Sequence, residues 1–378
     1  MTQLLKDMIE FRQRCRIFFE DEAVPFHEKW ERDAVVDREF WIRAGQQGLL
    51  GIGVDSKYGG GGQKDYRYAL ILTEELIRAG VTAPIFISHN DVIASYISQL
   101  GTDEQKERWL PDLCSGRKIA AVAVTEPTGG SDSNGLLTKA EAIDGAYLVN
   151  GEKAFITNGF NADLVLTAVK TESESRRPAL SLLVIERGTE GFMQGEPLEK
   201  LGWHASDTSH LSFENCLVSK SNRIGEESMG GYYFMLGMPR ERLSISTVAI
   251  STAERLLAIT LEYAKTREAF GQPIGSFQVN RFTLAKLDTR VKVARVYLEQ
   301  CIDQFNDGRL SMVDAARVKW LTTELQVEVA DCCLQLHGAQ GYMRNSEIGR
   351  LWTNSRVQTI YGGTSEIMLE FIGKSLGL

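Results

Sequence analysis

The period of apolar positions changes twice along the chain, and those changes set its organisation. Leu4, Leu5, Met8 and Ile9 open a 3.6-residue pattern that Ile17, Phe18 and Phe19 extend. Residues 38–48, 68–79 and 91–100 repeat it, so 3–110 read mostly as helix. The glycines at 59–62 interrupt that region, because a glycine run loses too much backbone entropy to hold a helix. From Ile119 onward the runs shorten. Residues 119–124, 164–169 and 180–185 read as apolar strands, and 210–218 alternate through Leu211, Phe213 and Leu217. Asp144-Gly145 and Asn150-Gly151 each sit between such segments and predict two tight hairpins.

Helical spacing returns near residue 230. Leu284, Leu287, Val291, Ala294, Leu298, Cys301 and Phe305 follow one another by alternating threes and fours. Val313, Ala316, Trp320, Thr323, Val327, Ala330 and Leu334 repeat that spacing. The link 306–311 is short and turn-like, so these two helices should pack antiparallel. Residues 245–263 predict a third long helix, and those after Thr364 a fourth. The order is α, then β, then an α bundle. No strand–helix alternation runs through it, which disfavours a doubly wound nucleotide fold.

The 378 residues allow two to three domains at a prior of about 150 residues each. The 42 basic and 50 acidic side chains leave a net charge of −8. That excludes a general nucleic-acid binder, but not a local pocket for one phosphorylated ligand. The six cysteines show no C-x-x-C and no zinc spacing, so they predict free thiols in a reducing cytoplasm and no metal site. No stretch approaches 18 uninterrupted apolar residues, which predicts no membrane span. The acid-containing start is unlike a signal peptide. No G-x-G-x-x-G follows a strand, and P-loop, H-E-x-x-H and G-x-S-x-G motifs are missing from the sequence.

Six segments carry candidate chemistry. Residues 122–132, VAVTEPTGGSD, leave a strand for a loop whose N–H groups and Thr125 and Ser131 hydroxyls suit a polar ligand. In 153–158, KAFITN, Phe155 beside Thr157 suits a planar ring. Residues 238–243, MPRERL, head a helix; Pro239 suits its first turn and Glu241 then lies in that turn, favoured by the dipole. Residues 263–278 end a helix and turn over glycines, where Arg267 and Gln278 could grip a phosphate or an amide. In 335–342, QLHGAQGY, His337 reads as structural. In 360–367, IYGGTSEI, Gly362 and Gly363 permit close backbone approach, and Thr364 to Glu366 open a helix whose N–H groups favour an anion. Each segment alone also has a plain structural reading as a turn, strand or helix end.

In this order the six segments resemble the acyl-CoA dehydrogenase family of flavoproteins, from about residue 5 to the end. TEPTGGSD is similar to the family's TEPxxGSD, KAFITN to its K-x-[WF]-I-T-N, and GWHASDT (202–208) to its G-x-x-x-S-D-T. REAFG with Gln278, QLHG and YGGTSEI are similar to its remaining signatures. The resemblance implies an α+β fold with an N-terminal α-helical domain (1–118), a middle antiparallel β domain (119–228) and a C-terminal four-helix bundle (229–378). It implies FAD between the last two. Val122, Val124, Thr125, Gly130, Ser131, Phe155, Ile156 and Thr157 would line the isoalloxazine. Arg267, Phe270 and Gln278 would reach FAD across a subunit contact, in a homotetramer or homodimer. Gln335, Gly338, Ala339, Thr364 and Glu366 would meet its adenosine and pyrophosphate.

Many relatives carry their catalytic base as Glu in a Y-E-G-T motif; here that position is Gly362. The isovaleryl and long-chain branches place it instead on the helix of an x-x-E-R-L motif, which matches Glu241. The resemblance thus implies dehydrogenation of acyl-CoA to trans-2-enoyl-CoA. Glu241 would take the α-proton and flavin N5 the β-hydride. The Gly362 N–H and the flavin ribityl hydroxyl would hold the enolate oxygen. Ser131, Arg242, Tyr361 and Gly362 would meet the substrate. Electrons would pass to electron-transferring flavoprotein. Three alternatives follow in order: the same chemistry on an acyl-carrier protein, a flavin oxidase or monooxygenase on the same fold, and a binding subunit without activity.

Overall fold

The computed structural model describes residues 2–132, 135–171 and 179–378, and the chain opens with a run of helices. They are α1 (Gln3–Glu22), α2 (His27–Asp33), α3 (Arg38–Gln46), α4 (Arg67–Arg78), α5 (Ala94–Leu100) and α6 (Asp103–Cys114). A π-helical segment, Ile87–Ile93, leads into α5. Thr102 and Gln105 form a reciprocal capping box at the start of α6, which satisfies two orphan amides. His89 joins the end of α6 to the sheet: Nε2 meets the Leu113 carbonyl at 3.0 Å and Nδ1 meets the Ala120 N–H at 3.3 Å. Burial drops its pKa to about 4, so it stays neutral.

The strands are β1 (Ala120–Ala123), β2 (Lys139–Ile143), β3 (Ala146–Thr157), β4 (Leu164–Thr171), β5 (Ala179–Glu186), β6 (Phe192–Gln194), β7 (Thr208–Ser219) and β8 (Arg223–Ile224). Their order is β6-β7-β3-β2-β4-β5-β8, with β1 against β4. Alternation assigns the faces. Leu164, Leu166, Leu182 and Val184 meet Ile97, Trp109, Leu110 and Leu113, whereas Val165, Val169, Leu183 and Ile185 meet Tyr147, Val149, Leu211 and Phe213. The sheet is mixed rather than purely antiparallel, because β1 and β2 both run parallel to β4. The short, mostly buried run of β1 gave no clue to its direction.

Asp144-Gly145 forms the expected hairpin, Ile143 pairing Ala146 with Gly145 at φ +69°. Asn150-Gly151 does not. It lies within β3, where the register with β7 slips between Val149 and Gly151. Gly151 takes φ +144°, and a Cβ there would lie 2.7 Å from the Thr138 Cα. The dipeptide faces a β-bulge whose extra residue lies on β7, where Glu214 and Asn215 oppose Asn150 and Asn215 takes φ +49°.

Two compact units result. One comprises residues up to Tyr68, Thr82–Lys200 and His204–Met238; the other comprises Ala69–Val81, Leu201–Trp203 and Pro239–Leu378. Helices α5 and α6 share a core with the sheet and fall in the same unit, whereas Ala69–Val81, with most of α4, falls in the other.

The second unit holds most of α7 (Gly230–Thr266), a small hairpin of β9 (Glu268–Ala269) and β10 (Gln272–Pro273), α8 (Gln278–Asn306), α9 (Met312–Gly341), α10 (Glu347–Arg356) and α11 (Ser365–Ser375). The α8 stripe is buried as expected, from Leu284 to Cys301. On α9 the expected Ala316, Thr323 and Ala330 are fully buried, Trp320 and Val327 are half-buried, and a second buried stripe runs through Ala315, Lys319, Thr322, Gln326, Val329 and Cys333. Packing by α8, α10 and α11 buries more than one face of α9, so polar residues enter its interior. Arg295 binds Glu74 at 3.0 Å and Glu254 at 2.5 Å, linking α8 to α4 and α7. Helix α7 is long and apolar enough to cross a membrane by length and composition, and 78% of its most apolar window is buried within the protein. All six cysteines are free thiols, five of them buried.

Gly151→Ala should cost about 1–3 kcal/mol through backbone strain, and Gly145→Ala about 1 kcal/mol, since the hairpin tip has open space around it. Urea unfolding monitored by tryptophan fluorescence checks both; equal midpoints for Gly151→Ala and wild type would refute the strain argument.

Candidate active site

The first group of site residues lies in the sheet unit, where β1 runs out into the 124–132 loop. The loop is anchored by a buried ion pair. Lys153, on β3 with no exposed surface, donates to Glu126 Oε1 at 2.8 Å and to the Val124 carbonyl at 3.1 Å. Glu126 also accepts from the backbone N–H of Leu137 and, at 2.9 Å, from that of Thr138. Burial pushes the Glu126 carboxyl up, but these bonds outweigh it and bring the carboxyl down to about 2. The Ala154 N–H donates to the Thr125 carbonyl at 2.9 Å, so strand and loop are fastened at two points.

Two residues further along β3 lies a second register slip, between Lys153 and Ile156. Phe155 takes φ +58° there and turns its ring outward, 65% exposed. Ile156 points the other way and is buried in the sheet core, so only its backbone is available to a ligand. Val122, Val124, Thr125 and Thr157 are half-buried, while Gly130 and Ser131 are exposed. Among the described residues, the hydroxyls of Thr125, Ser131 and Thr157 have no hydrogen-bond partner. Asp207 of the 202–208 loop is structural: it accepts from the N–H groups of Phe160 (3.0 Å) and Asn161 (3.2 Å). Burial nevertheless raises it to about 6.

The second group lies in the helical unit. Helix α7 begins at Gly230, not near Met238, so Pro239 is interior and Glu241 sits well past the first turn. The dipole argument for Glu241 therefore fails. Its carboxyl is raised above the usual carboxylate range by desolvation, against the opposing charges of Arg242 and Lys319. Gly362 faces it. A Cβ at Gly362 would lie 3.8 Å from Glu241 Oε1 and would overlap the Ile245 Cδ1. Gly362 takes φ +63° and Gly363 φ +90°, so this turn belongs to glycine. Arg242 packs its guanidinium over the Phe371 ring at 4.9 Å and donates to the Met312 carbonyl at 3.3 Å. Tyr361 donates to Gln358 at 2.6 Å; burial and the charge of Glu241 hold its hydroxyl above the ordinary phenol range.

Beyond this turn Thr364 caps α11, accepting the Ile367 N–H at 3.3 Å, with Glu366 in the first turn. In α9, Gln335 and Ala339 are exposed on either side of Gly338, where φ +58° and ψ −146° break the helix. His337 stacks on Tyr263 at 4.2 Å and meets the Thr260 hydroxyl, the structural role read from sequence. Arg267 and Gln278 are exposed around the β9–β10 hairpin, and Phe270 at its tip is 96% exposed at φ +53°. Sequence reasoning missed Lys319, which in a helical pattern reads as any solvated lysine, and Ile245, which fills the space at 362.

Family models describe the whole arrangement. "Acyl-CoA dehydrogenase, N-terminal domain" matches residues 6–117, the middle domain 121–216 and the C-terminal domain 228–377. The chain belongs to the acyl-CoA dehydrogenase family. It is 41% identical to the mitochondrial long-chain specific acyl-CoA dehydrogenase of Rattus norvegicus over 368 residues, 97% of this chain and 85% of that one. It is 34% identical to the mitochondrial isovaleryl-CoA dehydrogenase of Solanum tuberosum over 380 residues, 99% and 92%. The crystal structure of acyl-CoA dehydrogenase from Geobacillus kaustophilus matches with TM-score 0.96 and 39% identity, covering 100% of this chain and 99% of that one. The crystal structure of the prolyl acyl carrier protein oxidase AnaB matches with TM-score 0.89 and 30% identity, covering 98% and 99%.

Acyl-CoA dehydrogenases are FAD-dependent oxidoreductases of fatty acid metabolism. The residues present fit that cofactor. An outward Phe ring beside unpartnered hydroxyls suits a flat ring with polar edges, and an α11 N-terminus behind two positive-φ glycines suits an anion.

The Lys153–Glu126 pair gives a test of the loop anchor. Removing one partner leaves the other charge buried, so Glu126→Gln or Lys153→Met should cost about 3–5 kcal/mol at neutral pH. Glu126 is held low in the folded state, so its contribution is present above the unfolded value of about 4.3 and is lost as pH falls toward 2. The stability gap between wild type and Glu126→Gln, from denaturant unfolding, should therefore narrow below pH 4. A gap independent of pH would remove the ion pair from the account.

Proposed function

We propose that this acyl-CoA dehydrogenase oxidises its substrate between Cα and Cβ of the acyl thioester with Glu241 as the base. The observation that supports this is the approach of Glu241 to the side-chain-free position 362. A carboxylate from either place would work over the same spot. The α C–H is a weak acid, so its removal needs two aids. Desolvation makes Glu241 a stronger base than a solvated carboxylate. The Gly362 N–H, in a turn fixed at positive φ, offers a donor to the thioester oxygen as negative charge develops there. Such a donor is worth roughly 3 kcal/mol in comparable sites.

When bound, FAD supplies the two-electron acceptor for the β-hydrogen as hydride. On the sheet unit Val122, Val124, Thr125, Gly130, Ser131, Phe155, Thr157 and the backbone of Ile156 would hold its ring. On the helical unit Arg267, Phe270, Gln278, Gln335, Gly338, Ala339, Thr364 and Glu366 would hold the remainder. Ser131, Arg242 and Tyr361 would position the thioester arm. Electron-transferring flavoprotein is the inferred acceptor. We infer a homodimer or homotetramer, supported by an outward apolar stripe on α8: Val279, Phe282, Val293 and Val296 are all more than half exposed, as is Phe270. The free thiols support a reducing compartment, which we read as the cytoplasm.

Glu241→Gln should bind FAD yet no longer bleach it when titrated anaerobically with acyl-CoAs from C4 to C16 and branched ones. Because folding raises the carboxyl's pKa, its ionised form costs stability above that pKa. The Gln variant should therefore melt at the same or a higher temperature at neutral pH. Retained bleaching would remove Glu241 from the role. Acyl groups on carrier protein form a second arm, since a carrier-protein oxidase shares the fold; bleaching there alone would shift the substrate and keep the chemistry. The exchange Glu241→Gly with Gly362→Glu should recover activity in part, and more of it with Ile245→Ala, which clears the overlap.

Phe282→Glu should shift the sedimentation coefficient toward that of a smaller species; an unchanged coefficient would exclude the α8 stripe as a subunit contact.

A further inference from the structure

Lys319 lies on α9 with no accessible surface. Its Nζ donates to the Gly363 carbonyl at 2.8 Å. A turn built from two positive-φ glycines has no ladder partner for that carbonyl, and the ammonium supplies one. An ammonium is a costly way to satisfy one carbonyl. Burial disfavours the charged form strongly enough to bring Lys319 down to about 8, although Glu324, Glu241 and Glu366 attract it; Arg242 adds repulsion. An uncharged donor would satisfy the carbonyl at lower cost. The charge therefore has another use, and the group it reaches is Glu241, whose carboxylate it favours against desolvation.

We propose that Lys319 is a positioning residue that ties the Gly362–Gly363 turn and the ionised state of Glu241 to one buried charge. The proposal rests on the reading of Glu241 as base. Besides burial, the groups that set the charge state of Glu241 are Arg242 on its own helix and Lys319 on α9; Tyr361 in the turn feels the charge of Glu241, and Glu324 and Glu366 act on Lys319 itself. Without the charge, Glu241 takes up its proton at higher pH. Without the hydrogen bond, the Gly362 N–H loses its fixed place.

Two variants separate these effects. Lys319→Gln removes the charge and keeps a donor for the Gly363 carbonyl; Lys319→Met removes both. The protonation of Glu241 is read directly from the infrared band of its protonated carboxyl, assigned by its loss in Glu241→Gln, in protein with and without FAD. Both variants should move that midpoint, and the acid limb of flavin reduction, upward by on the order of one pH unit. Above the limb, Lys319→Gln should reduce flavin nearly as fast as wild type, and Lys319→Met about 10- to 100-fold more slowly. An unshifted midpoint in Lys319→Gln overturns the proposal even if melting temperature falls. Equal limiting rates in Lys319→Met and wild type overturn the hold on the turn. If Glu241→Gln remains active, the base assignment fails, while the infrared midpoint still reports whether Lys319 governs Glu241.

Discussion

Desolvation of one carboxylate organises the helical unit. Glu241 projects from the interior of α7 rather than its end, so no free helix amides compensate its charge. Its surroundings do so instead. Arg242 follows it and is held against Phe371 and the Met312 carbonyl, and Lys319 approaches from α9. Ile245, one turn on, occupies the volume in which a side chain at 362 would begin. The glycine and the glutamate are thus two sides of one steric arrangement. The positive-φ turn is the backbone form that glycine makes inexpensive.

The two buried lysines show how differently a fold can use the same group. Lys153 sits 2.8 Å from Glu126, and the pair is internally neutral. Its charge is spent locally, on holding a loop against a strand. Lys319 is bonded to a neutral carbonyl and meets its carboxylates through space. A charge so placed remains available to the groups around it, which is the condition for electrostatic tuning in a low-dielectric interior.

Much of this was legible in the sequence, and the failures have specific causes. The period-two runs, the Asp144-Gly145 hairpin and the α8 stripe emerged as drawn, because each is a local pattern that long-range packing reinforces. The start of α7 was hidden by Gly230, Gly231 and Gly237, poor helix formers that packing overrides. Helix α10 was missed because ten residues with a single Ser346 cap give too short a periodic signal. The second buried stripe of α9 was invisible, since no pattern distinguishes a buried Lys319 or Gln326 from a solvated one. For the site, ordered motifs brought Glu241 and Gly362 together on paper. Their mutual approach, and the dependence on Ile245, needed coordinates.

Strand β3 carries a consequence of its own. Up to Lys153 its odd-numbered residues, Tyr147, Val149 and Lys153, are buried; at the second register slip Ala154 and Phe155 together face one residue of β7, and beyond it the even-numbered Ile156 is buried. The extra residue acts as a phase shift in an otherwise binary code. Phe155 owes its outward ring, and Ile156 its burial, to that shift and not to its own chemistry. A strand of this kind behaves like a reading frame. Substitutions along it are absorbed one position at a time, whereas loss or gain of a single residue between Lys153 and Ile156 exchanges the inward side chains on one side of the slip for their neighbours. The length of this segment is therefore under tighter physical control than its composition.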